Sequence, residues 1–402
     1  MSSCVPVFTD NDRFCGVKAE YQDRALAHAL ESGRITPDDS CLISSFVAER
    51  RITGGISRKR ILKLVSCLIT IRRFIPPYRE LTLHTLYRGV DLIQTSESSR
   101  GRPFSQNTKI DLIATIKLFS LWLLETEVIT IPEKKIRAIK TPKKLPTKTA
   151  ADILTGDEIE ALISGCQTSR DRALLMTMYE GGFRVGELGT MKWGALKFDG
   201  TGVIVNVTFK TGKPRYIRLV MAKEHLIKWK SDYPEQVTDE SLVFLNERRR
   251  PMTHAAIYRQ LGRLCMRVGI TKHITPHIFR HSRITHLIQQ GVGESVIKLM
   301  MWGSIDSKMF INYAHLTGTD IDREIFKLYG IEPSAAQVQE KCLEPKVCPH
   351  CKEMNSPVSA YCHLCGQALN EEAQYSADKF MEYMLNHRDL MINFLNRHSP
   401  PQ

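Results

Sequence analysis

Nothing in this 402-residue chain is long and apolar enough to cross a bilayer as a helix, since it contains no apolar run of the ~18 residues that would require. The start, MSSCVPVFTDNDRF, lacks the basic lead and apolar stretch of a secretory signal, so the expectation is a cytoplasmic protein. No internal repeat and no low-complexity tract is evident. Acidic side chains are in short supply: 43 Asp and Glu against 56 Lys and Arg leave a net charge of +13. That imbalance disfavours a basic partner and fits a polyanion. What is present is ordinary for globular protein, with 43% apolar and 25% charged residues, and the length allows two or three domains.

The positive charge is not spread evenly. Lys134, Lys135, Arg137, Lys140, Lys143, Lys144 and Lys148 crowd one short stretch in which Glu133 is the only acid. Such density suits a phosphate backbone, because each neutralised phosphate releases counterions. Seven of the eleven cysteines (4, 15, 41, 67, 166, 265, 342) are scattered and read as reduced thiols. The other four, Cys348, Cys351, Cys362 and Cys365, form a doubled CxxC with ten residues between the pairs. In a chain without a secretion signal that is a metal site before it is a disulfide framework.

Apolar periodicity divides the chain. Residues 1–37 are a weakly patterned segment with one helix around Ala19 to Glu31. Over 38–129 the stripes Ile61, Leu64, Val65, Leu68, Ile71 and Leu112, Ile116, Phe119, Leu123 repeat at helical spacing, which predicts a bundle of about four helices. Residues 130–153, with three prolines and the lysine run, read as an extended basic linker. A new domain over 154–330 opens at Thr155-Gly156-Asp157-Glu158, a capping box for a helix start. Within it GTGVIVNVTFKTGKPRYIRLV alternates like a β-hairpin or short three-stranded sheet, and helical patterns resume after it. A ribbon over 345–369 and an amphipathic helix over 371–397 close the chain. The fold class is mainly α with a small antiparallel sheet.

Four polar positions stand out in the 154–330 domain. Arg184 follows two glycines in YEGGFRVGEL. His277 and Arg280 lie one turn apart in HIFRHSRITHLIQQG, so both can face one phosphate. Tyr313 sits in GSIDSKMFINYAHL, 33 residues beyond Arg280. Arginine offers a planar fork to two non-bridging phosphate oxygens and keeps its proton. A tyrosine can supply the nucleophile for attack on the phosphodiester that those arginines hold.

This set resembles the tyrosine recombinases, the phage integrase and Xer-type family. GGFRVGEL is similar to the family's G-x-R-x-x-E-L segment, HIFRH to its H-x-x-R-H signature, and the run ending at Tyr313 to its G-H-x8-Y. The resemblance implies a helical core-binding (SAM-like) DNA-binding domain over 38–129 and a catalytic domain over 154–330, the two closing around duplex DNA. It implies catalytic roles for Arg184, His277, Arg280 and the nucleophile Tyr313, and places a lysine acid on the hairpin, Lys210, with Lys213 the competitor. One position departs: where the family has His or Trp nine residues before the tyrosine, this chain has Ser304, with Trp302 two residues earlier. The implied activity is cutting and rejoining DNA through a 3′-phosphotyrosine, without nucleotide or metal, by a homotetramer on two sites. A catalytically silent DNA-binding protein and a type IB topoisomerase are the competing readings.

The Cys-x2-Cys-x10-Cys-x2-Cys pattern can close four thiolates into a tetrahedron, the donor set of a structural zinc ribbon, with His350 and His363 as bystanders. An appended ribbon of this kind resembles archaeal members of the family. Which surface it touches is left open: DNA, a second protomer or its own catalytic domain. On the last helix Phe380, Met384, Met391 and Leu395 share a stripe, either core or a surface exchanged between protomers.

Overall fold

The computed structural model describes residues 20–98, 101–143, 152–208, 214–310 and 342–389, with isolated positions at 14, 16, 18 and 329. The chain divides into two compact units, Met1–Thr147 and Lys148–Gln402. The hairpin lysines Lys210 and Lys213, the tyrosine Tyr313 and the stripe residues Met391 and Leu395 lie outside the described residues.

The first unit is built from α1 (Tyr21–Glu31), α2 (Pro37–Gly54), α3 (Arg58–Ile71), α4 (Leu83–Thr95) and α5 (Gln106–Glu125). Each of the last four starts at a Ser or Thr whose hydroxyl accepts an N–H of the first turn, at Thr36, Ser57, Thr82 and Ser105. Both sequence stripes are buried. Phe119 is the hub, with its ring 5.0 Å from Phe46, 4.7 Å from Tyr78 and 5.7 Å from Trp122. Among the described residues one charge is fully buried here: Asp39 accepts from Arg72 Nε at 2.7 Å and from the Tyr78 N–H at 2.9 Å.

The basic stretch departs from the extended linker that the sequence suggests. Its described half, up to Lys143, contains a short helix, α6 (Glu133–Arg137), and buries Ile131, Ile136 and Ile139 in the first unit's core. Lys117 on α5 donates to the carbonyls of Arg137 and Ile139, at 2.6 and 2.9 Å, and ties the segment down. Lys134, Lys135, Arg137, Lys140 and Lys143 remain exposed. The isoleucines fix the backbone and the cations face water.

The second unit starts with α7 (Gly156–Ser164), capped as the sequence predicts: the Thr155 hydroxyl accepts from the Glu158 N–H, and the Glu158 carboxylate from the Thr155 N–H. α8 (Ser169–Gly181) shows no exposed residue from Ala173 to Gly181, the burial of a central helix. A turn leads into α9 (Val185–Gly189) and then a three-stranded antiparallel sheet, β1 (Leu196–Asp199), β2 (Gly202–Thr208) and β3 (Pro214–Leu219) in that order. Its register pairs Val203 with Leu219, Val205 with Ile217 and Val207 with Arg215, so the core-facing row of β3 is Arg215, Ile217, Leu219. α10 (Lys223–Ser231), α11 (His254–Arg267), α12 (Pro276–Gln289) and α13 (Glu294–Trp302) complete the body. The buried carboxylate of Glu180, at the end of α8, accepts the N–H groups of Val220, Met221 and Ala222 at 2.7, 3.0 and 2.8 Å and fixes the β3–α10 turn.

The cysteine segment is a two-stranded ribbon, β4 (Lys346–Val347) against β5 (Met354–Asn355), followed by α14 (Glu371–Asn386). The contact left open by the sequence is made on α10. Lys223 reaches the Glu353 carboxylate at 2.7 Å, and Glu224 accepts the Ser356 N–H at 3.1 Å and the Ser359 hydroxyl. α14 buries only Ala373 among its described residues; of the stripe that the sequence left as either core or an exchanged surface, Phe380 is exposed and Met384 half-buried.

Candidate active site and metal centre

The turn between α8 and α9 carries Arg184. Gly182 ends α8 in the left-handed region (φ 54°), and a Cβ there would meet Met301 at 2.8 Å. A Cβ on Gly181 would strike the buried ring of Phe183 at 2.0 Å. The two glycines therefore allow the chain to reverse tightly and seat Phe183 inward, which leaves Arg184 at the N-cap of α9. There its N–H and its Nη1 both donate to the Glu187 carboxylate, each at 2.8 Å. The Arg184 side chain keeps 33% of its exposure, whereas Glu187 has none. The carboxylate aims the guanidinium and leaves part of it open to solvent.

Arg280 comes from α12 and is 4% exposed. It donates to the carbonyl of Gly182, two residues before Arg184, and to that of Met301 at 2.6 Å, and its guanidinium carbon lies 5.5 Å from the centre of the Trp302 ring. One turn earlier His277 is exposed, its ring 4.3 Å from that of His281. Ser304 is half-buried and follows Gly303, which ends α13 with φ 70°. His286 is buried, with Nδ1 2.8 Å from the Tyr179 hydroxyl, a structural position. Burial pushes the Tyr179 phenol up to about 12 although Arg283 stands against its ring, so this tyrosine stays protonated.

The structure therefore brings Arg184 and Arg280 onto one shared backbone turn, with His277 and Ser304 on the adjoining elements. Two residues not foreseen as site members complete the arrangement. Glu187 appeared in the sequence only as part of a motif. Arg215 was not singled out, although its strand phase was a usable signal: it stands two and four residues before Ile217 and Leu219, on the row that faces the core.

The four ribbon sulfurs all lie within 4.8 Å of one another, with Cys348 and Cys351 3.6 Å from Cys365 and Cys362 respectively. Tetrahedral zinc with Zn–S near 2.3 Å needs sulfurs about 3.8 Å apart, so the set fits that ion. Burial opposes ionisation of Cys362, but the N–H groups of Leu364 and Cys365 bring it down to about 6. At Cys351 the Glu353 N–H works in the same direction, yet burial and the neighbouring sulfurs push it up to about 12. Four thiolates cannot share so small a space without a cation.

A helical domain with a three-stranded antiparallel sheet that gathers two arginines beside an exposed histidine has the features of a tyrosine recombinase catalytic domain. Residues 152–319 match the phage integrase family. Among curated proteins it is similar to tyrosine recombinase XerD of Lacticaseibacillus casei, 25% identical over 288 residues that cover 69% of this chain and 94% of that protein. Among solved structures it resembles XerH site-specific recombinase bound to palindromic difH substrate in a post-cleavage complex (TM-score 0.54, 15% identity, 80% of this chain and 94% of that one). A lambda integrase tetramer bound to a Holliday junction matches with TM-score 0.53 and 18% identity, over 69% of this chain and 82% of that one. At these identities the structural likeness bears on the fold alone.

Proposed function

We propose that the chain is a site-specific DNA recombinase that cuts and rejoins strands through a 3′-phosphotyrosine. The observation that carries this is the joining of Arg184 and Arg280: the buried guanidinium of Arg280 holds the carbonyl of Gly182, and Glu187 aims Arg184 from the same turn. A protein that only binds DNA has no need of such a site, since contacts to phosphates can be made from the surface.

In this reading the two guanidiniums hold the non-bridging oxygens of one phosphate and stabilise the charge of the phosphorane. His277, exposed on the same helix as Arg280, donates to the same group. The Tyr313 phenolate attacks phosphorus, the bond to the 5′ oxygen breaks, and that oxygen takes a proton from Lys210, with Lys213 as the alternative donor. Reversal with a different 5′-hydroxyl rejoins the strand, and the phosphotyrosine retains the bond energy meanwhile. Ser304 stands where the family has His or Trp and can donate one hydrogen bond. The exposed lysines of the 130–143 segment contact the backbone without reading bases. Zinc held by Cys348, Cys351, Cys362 and Cys365 is structural, because four protein ligands leave no open position. A homotetramer on two duplexes is the working assembly.

The test is incubation of the full chain with a nicked duplex carrying its selected binding site. Wild type is expected to give a covalent protein–DNA band that Tyr313→Phe loses while still binding. Binding without a band from wild type would overturn the reading in favour of a silent DNA-binding protein.

A further inference from the structure

Arg215 is a charged side chain that the proposed chemistry does not use, and it is 3% exposed. Its place in the core-facing row of β3 puts a guanidinium where Ile217 and Leu219 put methyl groups. A buried charge there is costly unless every donor is engaged. Its Nη2 donates to the Glu187 carboxylate, and its Nη1 to the carbonyls of Met300 and Met301, at 3.0 and 2.9 Å. Those carbonyls belong to the last turn of α13, which has no further helical N–H to offer them.

Three connections therefore meet at Arg215. Through Glu187 it reaches Arg184, because that carboxylate also accepts from Arg184 N and Nη1. Through the Met301 carbonyl it reaches Arg280, which donates to the same oxygen at 2.6 Å. Along α13 it reaches the backbone that leads on to Ser304. Glu187 has no exposed surface and two guanidiniums on it, so its rotamer, and with it the direction of Arg184, depends on the Arg215 fork.

We propose that Arg215 is a positioning residue of the active site: it does not touch DNA but sets Arg184 and Arg280 in register by bridging Glu187 to the end of α13. The inference rests on the recombinase reading above. Lysine cannot replace it, since one ammonium has no planar fork with which to hold a carboxylate and two carbonyls at fixed angles.

The experiment is single-turnover cleavage of the nicked duplex by Arg215→Lys. Cleavage is expected to slow by roughly 100-fold, the scale of a misplaced catalytic group, with DNA affinity and thermal midpoint close to wild type. In an Arg184→Lys background the same change should add less than about threefold, because both act on one interaction. Wild-type cleavage by Arg215→Lys, or a full additional loss in that background, overturns the proposal. Should Arg215→Lys not fold, Glu187→Asp, which retracts the same carboxylate, is expected to give the same slow cleavage. A DNA-free measurement separates the two levels of argument: modification of Arg184 by phenylglyoxal, mapped by mass spectrometry against Arg79, should rise in Arg215→Lys. If wild type forms no adduct, the recombinase reading falls, and unchanged Arg184 reactivity would independently remove the positioning role.

Discussion

The interiors of the two units differ in kind. The first is closed almost entirely by apolar and aromatic side chains around Phe119, and Asp39 is the one fully buried charge among its described residues. The second buries Arg170, Asp171, Glu180, Glu187, Arg215 and Arg280 in a body of similar construction. Buried charge does not generally add stability beyond what an apolar side chain of equal volume would give. Its use in the second unit is directional: Glu180 fixes a turn, Glu187 aims a guanidinium, and Arg215 and Arg280 lock the end of a helix. On the proposed function, the first unit grips a duplex from its surface, whereas the second holds cations at fixed angles for chemistry, and does so from inside.

Three substitutions would break or sharpen this contrast. The largest effect is expected from Arg280→Ala, which removes one proposed oxyanion donor and takes the Arg280 donor from the carbonyl of Gly182, leaving that of Met301 to Arg215 alone; cleavage should fall by about 100- to 1,000-fold while gel-shift affinity holds. An equal loss of cleavage from a first-unit core substitution at unchanged affinity would erase the distinction. Asp39→Ala should act on stability instead. It leaves Arg72 without its buried partner, and urea unfolding should show a loss of about 3–5 kcal/mol in the transition of the first unit. Burial alone would raise the Asp39 carboxyl, but the N–H groups of Thr36 and Tyr78 and the Arg72 guanidinium hold it below its ordinary value of 3.8. A group depressed in the folded state contributes stability at neutral pH that is lost as pH falls through its folded value, so the wild-type transition should weaken below about pH 4 and that of Asp39→Ala should not follow. The smallest effect is expected from Cys362→Ser. Atomic emission should show the loss of bound zinc, and the second unit should melt a few degrees lower as the ribbon's grip on Lys223 and Glu224 slackens. Unchanged zinc content would remove the metal assignment.

Where a feature depended on near neighbours, the sequence revealed it. The Thr155 capping box, the stripes of α3 and α5 and the alternation of the sheet are written within a few residues. Arg184 and Arg280 stood out as candidates because the glycine turn and the H-x-x-R spacing are local. Arg215 was not, since its partners lie 28 residues before it and 85 and 86 after it, and a strand arginine is usually solvated. The packing of Ile131, Ile136 and Ile139 was hidden by uneven spacing among prolines and lysines. Docking of the ribbon on α10 rests on Glu224, Glu353, Ser356 and Ser359, which look like surface residues until the two elements meet.

In the proposed function the second unit's buried charges serve a covalent step at Tyr313. The most direct test of this is to trap the adduct, digest both protein and DNA, and identify the nucleotide-bearing peptide by mass spectrometry. A nucleotide is expected on Tyr313 within the SKMFINYAHLTGTDIDR stretch. A nucleotide on any other residue, or none in a complex that binds its site, would contradict it.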